Sequence, residues 1–184
     1  MKVLRKQHDR NVIGAGVTSV SDQAEVSPVT PQEILRALQL TPDKVYELVH
    51  GLSPSQLVRK PKEREWAMNE IVNHLLAGER DVILPRLERM LREDAPIFPS
   101  SASSRSRGAA GAVPGDFDAA LVAFRRIREE TLGFLRALKD PDWQRFGTTP
   151  TRGRITIEAY TRYLAEHDLE HLAQLRVTRE VVER

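Results

Sequence analysis

Three of the five histidines, His74, His167 and His171, have the residue type and spacing to bind a divalent metal ion. His167 and His171 are four residues apart, so on a helix both imidazoles project from one face. They extend the stripe Ile157, Tyr160, Leu164, whose steps of three and four mark a core-facing seam that runs on to Gln174. His74 lies on a similar stripe with Ile71, Gly78 and Val82, and Gly78 leaves space one turn beyond it. Three neutral imidazoles without a fourth protein ligand describe an open site, whose vacant positions take water or the anionic atom of a substrate. Imidazole donors suit Zn²⁺ or Ni²⁺ and fit Fe²⁺ less specifically. The competing reading is three ordinary buried histidines hydrogen-bonded to neighbours; convergence at one level of the fold favours the metal.

Around this trio stand further candidates. Glu70, one turn before His74, either orients that imidazole or pairs with a basic residue on the helix surface, and with Glu79 it is a candidate base for a hydrolytic reaction. Glu79 is a candidate general base, set against a role as a solvated salt bridge. Asp168 adjoins His167, but adjacent helix positions point about 100° apart, so direct pairing between them is not expected. Gln174 either binds water at the metal or fills space, and Tyr160 and Tyr163 read as packing residues. His50, just before Gly51, is placed to meet the terminal carbonyls of a helix.

The elements that must position these residues are helical. Thr30-Pro31-Gln32-Glu33 is a capping-box start, repeated in part by Thr41-Pro42-Asp43, so the first helix is broken or kinked near residue 41 and ends before Gly51. A loop with Pro54 and Pro61 precedes a second helix over about 67–92, which Pro85 kinks by freeing the carbonyl of Asp81. Residues 95–115, rich in Pro, Gly, Ser and Ala, carry no period. A third helix spans about 116–139, a turn follows over 148–154, and a fourth helix runs from Thr156 to about Thr178. No strand is expected. The reading is an all-α four-helix bundle at residues 30–184, preceded by a tail at 1–29.

Helix geometry adds a topology. His74 lies about 10 Å from the start of its helix, and His171 about 10 Å from the end of its own, at roughly 1.5 Å per residue. The two meet at one level only if helices two and four are antiparallel. That order is up-down-down-up, with helices two and three parallel, and the 95–115 segment supplies the long crossover it needs. The same topology brings the basic loop residues Arg59, Lys60, Lys62, Arg64, Arg105 and Arg107 to the mouth of the site, where they would attract an anionic cofactor. Arg152 and Arg154 fall at the opposite end.

Composition narrows the function classes. The chain has no cysteine, which excludes disulfides, cysteine-type zinc sites and a protein thiol nucleophile. Charged residues make up 29% yet leave a formal net charge of only +2, with no basic stripe interleaved with aromatics, so a nucleic-acid surface is not expected. No apolar run is long enough to span a bilayer. Lys2, Arg5, Lys6 and Arg10 precede only a weakly apolar Val12–Val20 stretch, read as a tail rather than a secretory signal. A cytoplasmic protein acting on a small molecule is the expectation.

The segment Trp66-Ala-Met-Asn-Glu70-Ile-Val-Asn-His74-Leu-Leu-Ala-Gly-Glu79 resembles the W-S-x-x-E-x-x-x-H-x-x-x-x-E block of the DinB/YfiT-like superfamily of metalloenzymes. Gly153-x-Ile-Thr-Ile-Glu-Ala-Tyr160 and Ala165-Glu-His167-Asp-x-x-His171-Leu-x-Gln174 resemble its C-terminal block. The resemblance spans about residues 31–178, and Ala67 stands where the family usually has a serine N-cap. It implies an up-down-down-up bundle, metal ligation by His74, His167 and His171, and homodimers in many members. It also implies activities: S-transfer from low-molecular-weight thiols to small electrophiles, or hydrolysis by metal-activated water. A non-catalytic stress-response or interaction protein is the reading from another class.

Overall fold

The computed structural model describes residues 30–100 and 117–184. The readings made for the tail at 1–29, and for Arg105 and Arg107, lie outside the described residues. Helix α1 (Pro31–Val49) opens on the expected capping box: Thr30 Oγ1 accepts from Glu33 N–H, and Glu33 accepts from Thr30 N–H at 2.7 Å. Of the break or kink expected near residue 41, the break does not occur: α1 is one continuous α-helix with Pro42 buried inside it. Pro42 cannot donate to the carbonyl of Leu38, and that carbonyl instead accepts from the Arg128 guanidinium at 2.9 Å. A tertiary hydrogen bond thus replaces the one that proline removes.

A short helix α2 (Pro54–Leu57) lies within the loop. Helix α3 (Met68–Gly78) begins without a side-chain cap, as Ala67 requires, but Glu70 accepts from the Ala67 N–H at 2.8 Å and supplies half of a capping box. A π-turn (Glu79–Ile83) joins α3 to α4 (Leu84–Arg92), with Leu84 N–H reaching back to the Glu79 carbonyl. The wider turn is how the helix passes Pro85 without ending. Helix α5 (Phe117–Arg136) and helix α6 (Ile157–Val182) complete the bundle, and α6 runs one turn beyond the expected end.

Cross-helix contacts fix the directions. Arg125 pairs with Asp43 at 2.7 Å and Arg136 donates to Gln39 at 2.9 Å, so α5 runs against α1. Arg179 donates to the Glu47 carbonyl at 2.9 Å, so α6 ends where α1 ends. Arg86 donates to the Tyr160 hydroxyl, and His74 meets His171, so α3–α4 runs against α6. The order is up-down-down-up. α1 and α3 each pack against both α5 and α6.

The core has two apolar halves. One, toward the end of α1, includes Val45, Met68, Ile71, Phe124 and Leu175; the other includes Leu38, Leu87, Met90, Leu135 and Leu164. Between them lies a buried polar layer of Glu79, Arg128, Thr131 and Asp168.

The absence of strands expected from the sequence is corrected by an antiparallel hairpin, β1 (Phe146–Thr149) with β2 (Gly153–Thr156). Four-residue strands leave too short a period-2 signal to read among turn residues. Residues 96–98 lie alongside β1, with Phe98 N–H donating to Thr148 O and Thr148 N–H to Pro96 O, both at 2.8 Å. This anchors the start of the crossover on the hairpin. Gly147 permits it, because a Cβ there would lie 2.4 Å from Phe98 Cε2 and 3.0 Å from the Pro96 carbonyl oxygen. Gly147→Ala is therefore expected to cost about 1–3 kcal/mol through overpacking, read as a lower urea midpoint; an unchanged midpoint would show that Phe98 yields freely.

Candidate metal centre

The three histidines come together from α3 and α6. The Nε2 atom of His167 lies 3.1 Å from that of His74 and 3.1 Å from that of His171. Ligand nitrogens about 2.0–2.1 Å from a common ion, at tetrahedral to octahedral angles, stand roughly 2.8–3.4 Å apart. Both spacings from His167 fit that range, and the three ligand atoms all lie within 4.8 Å of one another. Among the described residues no carboxylate joins this cluster. The donor set therefore suits one divalent ion with positions left open.

Side chains around the trio fix ring orientation. The Nδ1–H of His171 donates to Gln174 Oε1 at 2.9 Å, which leaves the Nε2 lone pair facing the other imidazoles. Gln174, left open by the sequence between water binding and space filling, thus orients a ligand. Trp66, just before α3, packs on the centre, its ring 4.8 Å from His74 and nearly parallel to His171 at 6.0 Å. Burial, with His171 and His74 close by and Arg128 and Arg152 farther off, lowers the His167 pKa to about 3. His167 is therefore held neutral, the form that ligates a metal.

The trio opens into a cavity of about 930 Å³. Gly78 lines it, and a Cβ at that position would meet nothing within 4 Å. Arg86, Arg152, Tyr160 and Tyr163 form one stretch of wall. Burial raises the Tyr160 pKa against the opposing effect of Arg86, so the phenol keeps its proton. Tyr163 stacks on Tyr160 and lies 5.9 Å from the His167 ring.

Both candidate carboxylates have other work. Glu79 is not a solvated salt bridge. It is 1% exposed and accepts from Arg128 Nε at 2.9 Å and Nη2 at 2.7 Å. Asp168 accepts from the other edge of the same guanidinium, and the Leu38 carbonyl takes a further Nη1 proton. Burial alone would lower the Arg128 pKa, but Asp168 and Glu79 outweigh it and hold it above the ordinary arginine value. Arg128 thus engages both carboxylates beside the histidines, so Glu79 is not a free base. Glu70, expected to orient His74 or to pair at the surface, accepts from the Ala67 N–H and pairs with Lys60 at 3.0 Å. Its oxygens serve the start of α3.

The basic mouth proposed from the sequence is corrected. Arg59 donates to the Val181 carbonyl at the end of α6, Lys62 pairs with Glu65, and neither Arg59 nor the exposed Arg64 lines the cavity. Among the described residues the cations that line the cavity are Arg86 and Arg152. The hairpin folds its turn back toward α6, carrying Arg152 from the end to which the sequence assigned it, while Arg154 stacks on Phe146.

A family model described as the DinB superfamily matches residues 37–175. The uncharacterized protein YuaE of Bacillus subtilis (strain 168) is 24% identical over 147 residues, which cover 73% of this chain and 90% of YuaE. The solved structure of YfiT from Bacillus subtilis, described as "a probable metal-dependent hydrolase with an unusual four-helix bundle topology", matches with a TM-score of 0.69. It is 19% identical, and the match covers 84% of this chain and 90% of that one, a likeness of fold.

Proposed function

The chain belongs to the DinB superfamily, and from that premise we propose that it is a metal-dependent enzyme that activates a low-molecular-weight thiol for transfer to a small electrophile. The observation that carries this reading is the convergence of His74, His167 and His171 on an open cavity of about 930 Å³, with no carboxylate in the ligand cluster of the described residues. A divalent ion such as Zn²⁺ or Ni²⁺, when bound, supplies Lewis acidity that lowers the pKa of a coordinated nucleophile. The chain's own part is to present three neutral imidazoles, to hold His171 through Gln174, and to cover the rings with Trp66. Arg128 keeps Glu79 and Asp168 engaged, so neither takes a proton from the nucleophile. A thiol, with an ordinary pKa of about 8.5, loses its proton with less help than water at about 15.7. That difference favours the thiol reading.

Hydrolysis is the second reading. It is favoured by the description of YfiT and by Glu166 and Glu170, exposed carboxylates that line the cavity. Turnover of monochlorobimane by Zn²⁺- or Ni²⁺-loaded protein separates the two. The expected result is conjugation that depends on added thiol and disappears in His74→Ala. Hydrolysis of p-nitrophenyl esters without thiol dependence would replace this reading with hydrolysis. Full metal occupancy with neither activity would point to a non-catalytic role.

A further inference from the structure

The cavity wall that faces the histidines from the hairpin side carries two arginines that no carboxylate pairs with among the described residues. The guanidinium of Arg152 lies 3.8 Å from the centroid of the Tyr163 ring, and Tyr163 lies 5.9 Å from His167. Stacking on the phenol occupies one face of the guanidinium and holds its plane, while its N–H edge remains available. No hydrogen bond or ion pair engages that edge among the described residues; only the Arg152 backbone N–H is engaged, by Thr149 Oγ1 at 3.1 Å. Arg86 uses two of its donors on the Tyr160 hydroxyl at 3.3 Å and the Pro99 carbonyl at 2.7 Å. Arg86 is thereby fixed on the wall with donors to spare.

Arginines left without carboxylate partners beside a concave site match the bidentate recognition of a carboxylate. We infer that Arg152, supported by Arg86, anchors a carboxylate group of the small molecule whose reacting atom sits at the three histidines. This rests on the reading of that centre as a small-molecule metal site and adds its substrate class: an acidic molecule with a metal-binding atom at one end. Glu166 and Glu170 line the same cavity and would repel the anion, which makes Arg152 the discriminating contact.

Isothermal titration of the Zn²⁺-loaded protein with 6-mercaptohexanoate and 6-mercaptohexanol tests this, since the pair differs only in the carboxylate. The acid is expected to bind at least about tenfold more tightly, in line with a charge-assisted hydrogen bond. The difference should collapse in Arg152→Met and return in part in Arg152→Lys, which restores the charge without the fork. Arg152 is exposed on a turn, so these variants fold. Equal affinities in the parent protein, or a difference that survives Arg152→Met, would overturn the inference. If neither thiol binds, the thiol reading fails by itself, and adipate against 1,6-hexanediol decides the anchor. Adipate binding lost in Arg152→Met supports it, and absence of adipate binding overturns it.

Discussion

Replacing His74 and His167 with alanine is expected to abolish binding of Zn²⁺ or Ni²⁺ while leaving the helical far-ultraviolet spectrum in place. Each substitution removes a ligand from a set of three that converge within 4.8 Å. Loss of a residue that merely orients a ligand costs about 10–100-fold in affinity, so loss of a ligand costs at least about 100-fold. The fold is expected to survive because alanine favours the helix and both histidine side chains line the cavity. Elemental analysis beside a competition assay reads the result. Protein that stays metal-free after loading in the parent form would remove the metal reading altogether. Gln174→Ala should weaken binding less, since His171 keeps its position on α6 and loses only the partner of Nδ1.

Arg128→Met is expected to destabilise the fold by about 3–5 kcal/mol, the usual cost of removing one partner from a buried ion pair. Arg128, Glu79 and Asp168 are each 1% exposed, so no water reaches the two carboxylates that would be left without their cation. The Leu38 carbonyl, already deprived of a helical donor by Pro42, would lose its hydrogen bond as well. For a chain of this size the loss corresponds to a fall of roughly 10 °C in the thermal midpoint. Combining Arg128→Met with Glu79→Gln and Asp168→Asn should recover much of it, because neutral side chains of the same shape carry no unpaired charge. A single variant as stable as the parent would mean that the layer relaxes and admits water. A triple variant no better than the single would assign the cost to lost packing.

The same layer separates what was readable from what was read. Leu121, Phe124, Arg128, Thr131 and Leu135 follow steps of three and four, so Arg128 occupies a seam position in plain sequence. An arginine there requires buried acidic partners, and Glu79 and Asp168 each lie one residue past an inward position, Gly78 and His167. Ile127 fits the same steps between Phe124 and Thr131, so periodicity alone does not single out Arg128. Pro42 misled in a similar way. Proline removes a helical hydrogen bond, and only a tertiary donor to Leu38 shows that the helix continues through it.

The histidine trio and the up-down-down-up order were determined by the sequence itself. Helical periodicity fixes which side chains share a face, and residue counts fix their depth along an axis. Both are local quantities that need no knowledge of the partner helix. The cavity wall was decided by the tertiary structure alone. Which cations reach the centre depends on how a four-residue hairpin folds back over α6 and on which carboxylates claim each arginine. That pairing is settled by burial among distant segments. It drew Lys60 to Glu70, Arg59 to the end of α6 and Arg128 to Glu79 and Asp168, and left Arg152 stacked on Tyr163 in the wall of the cavity that the histidines line.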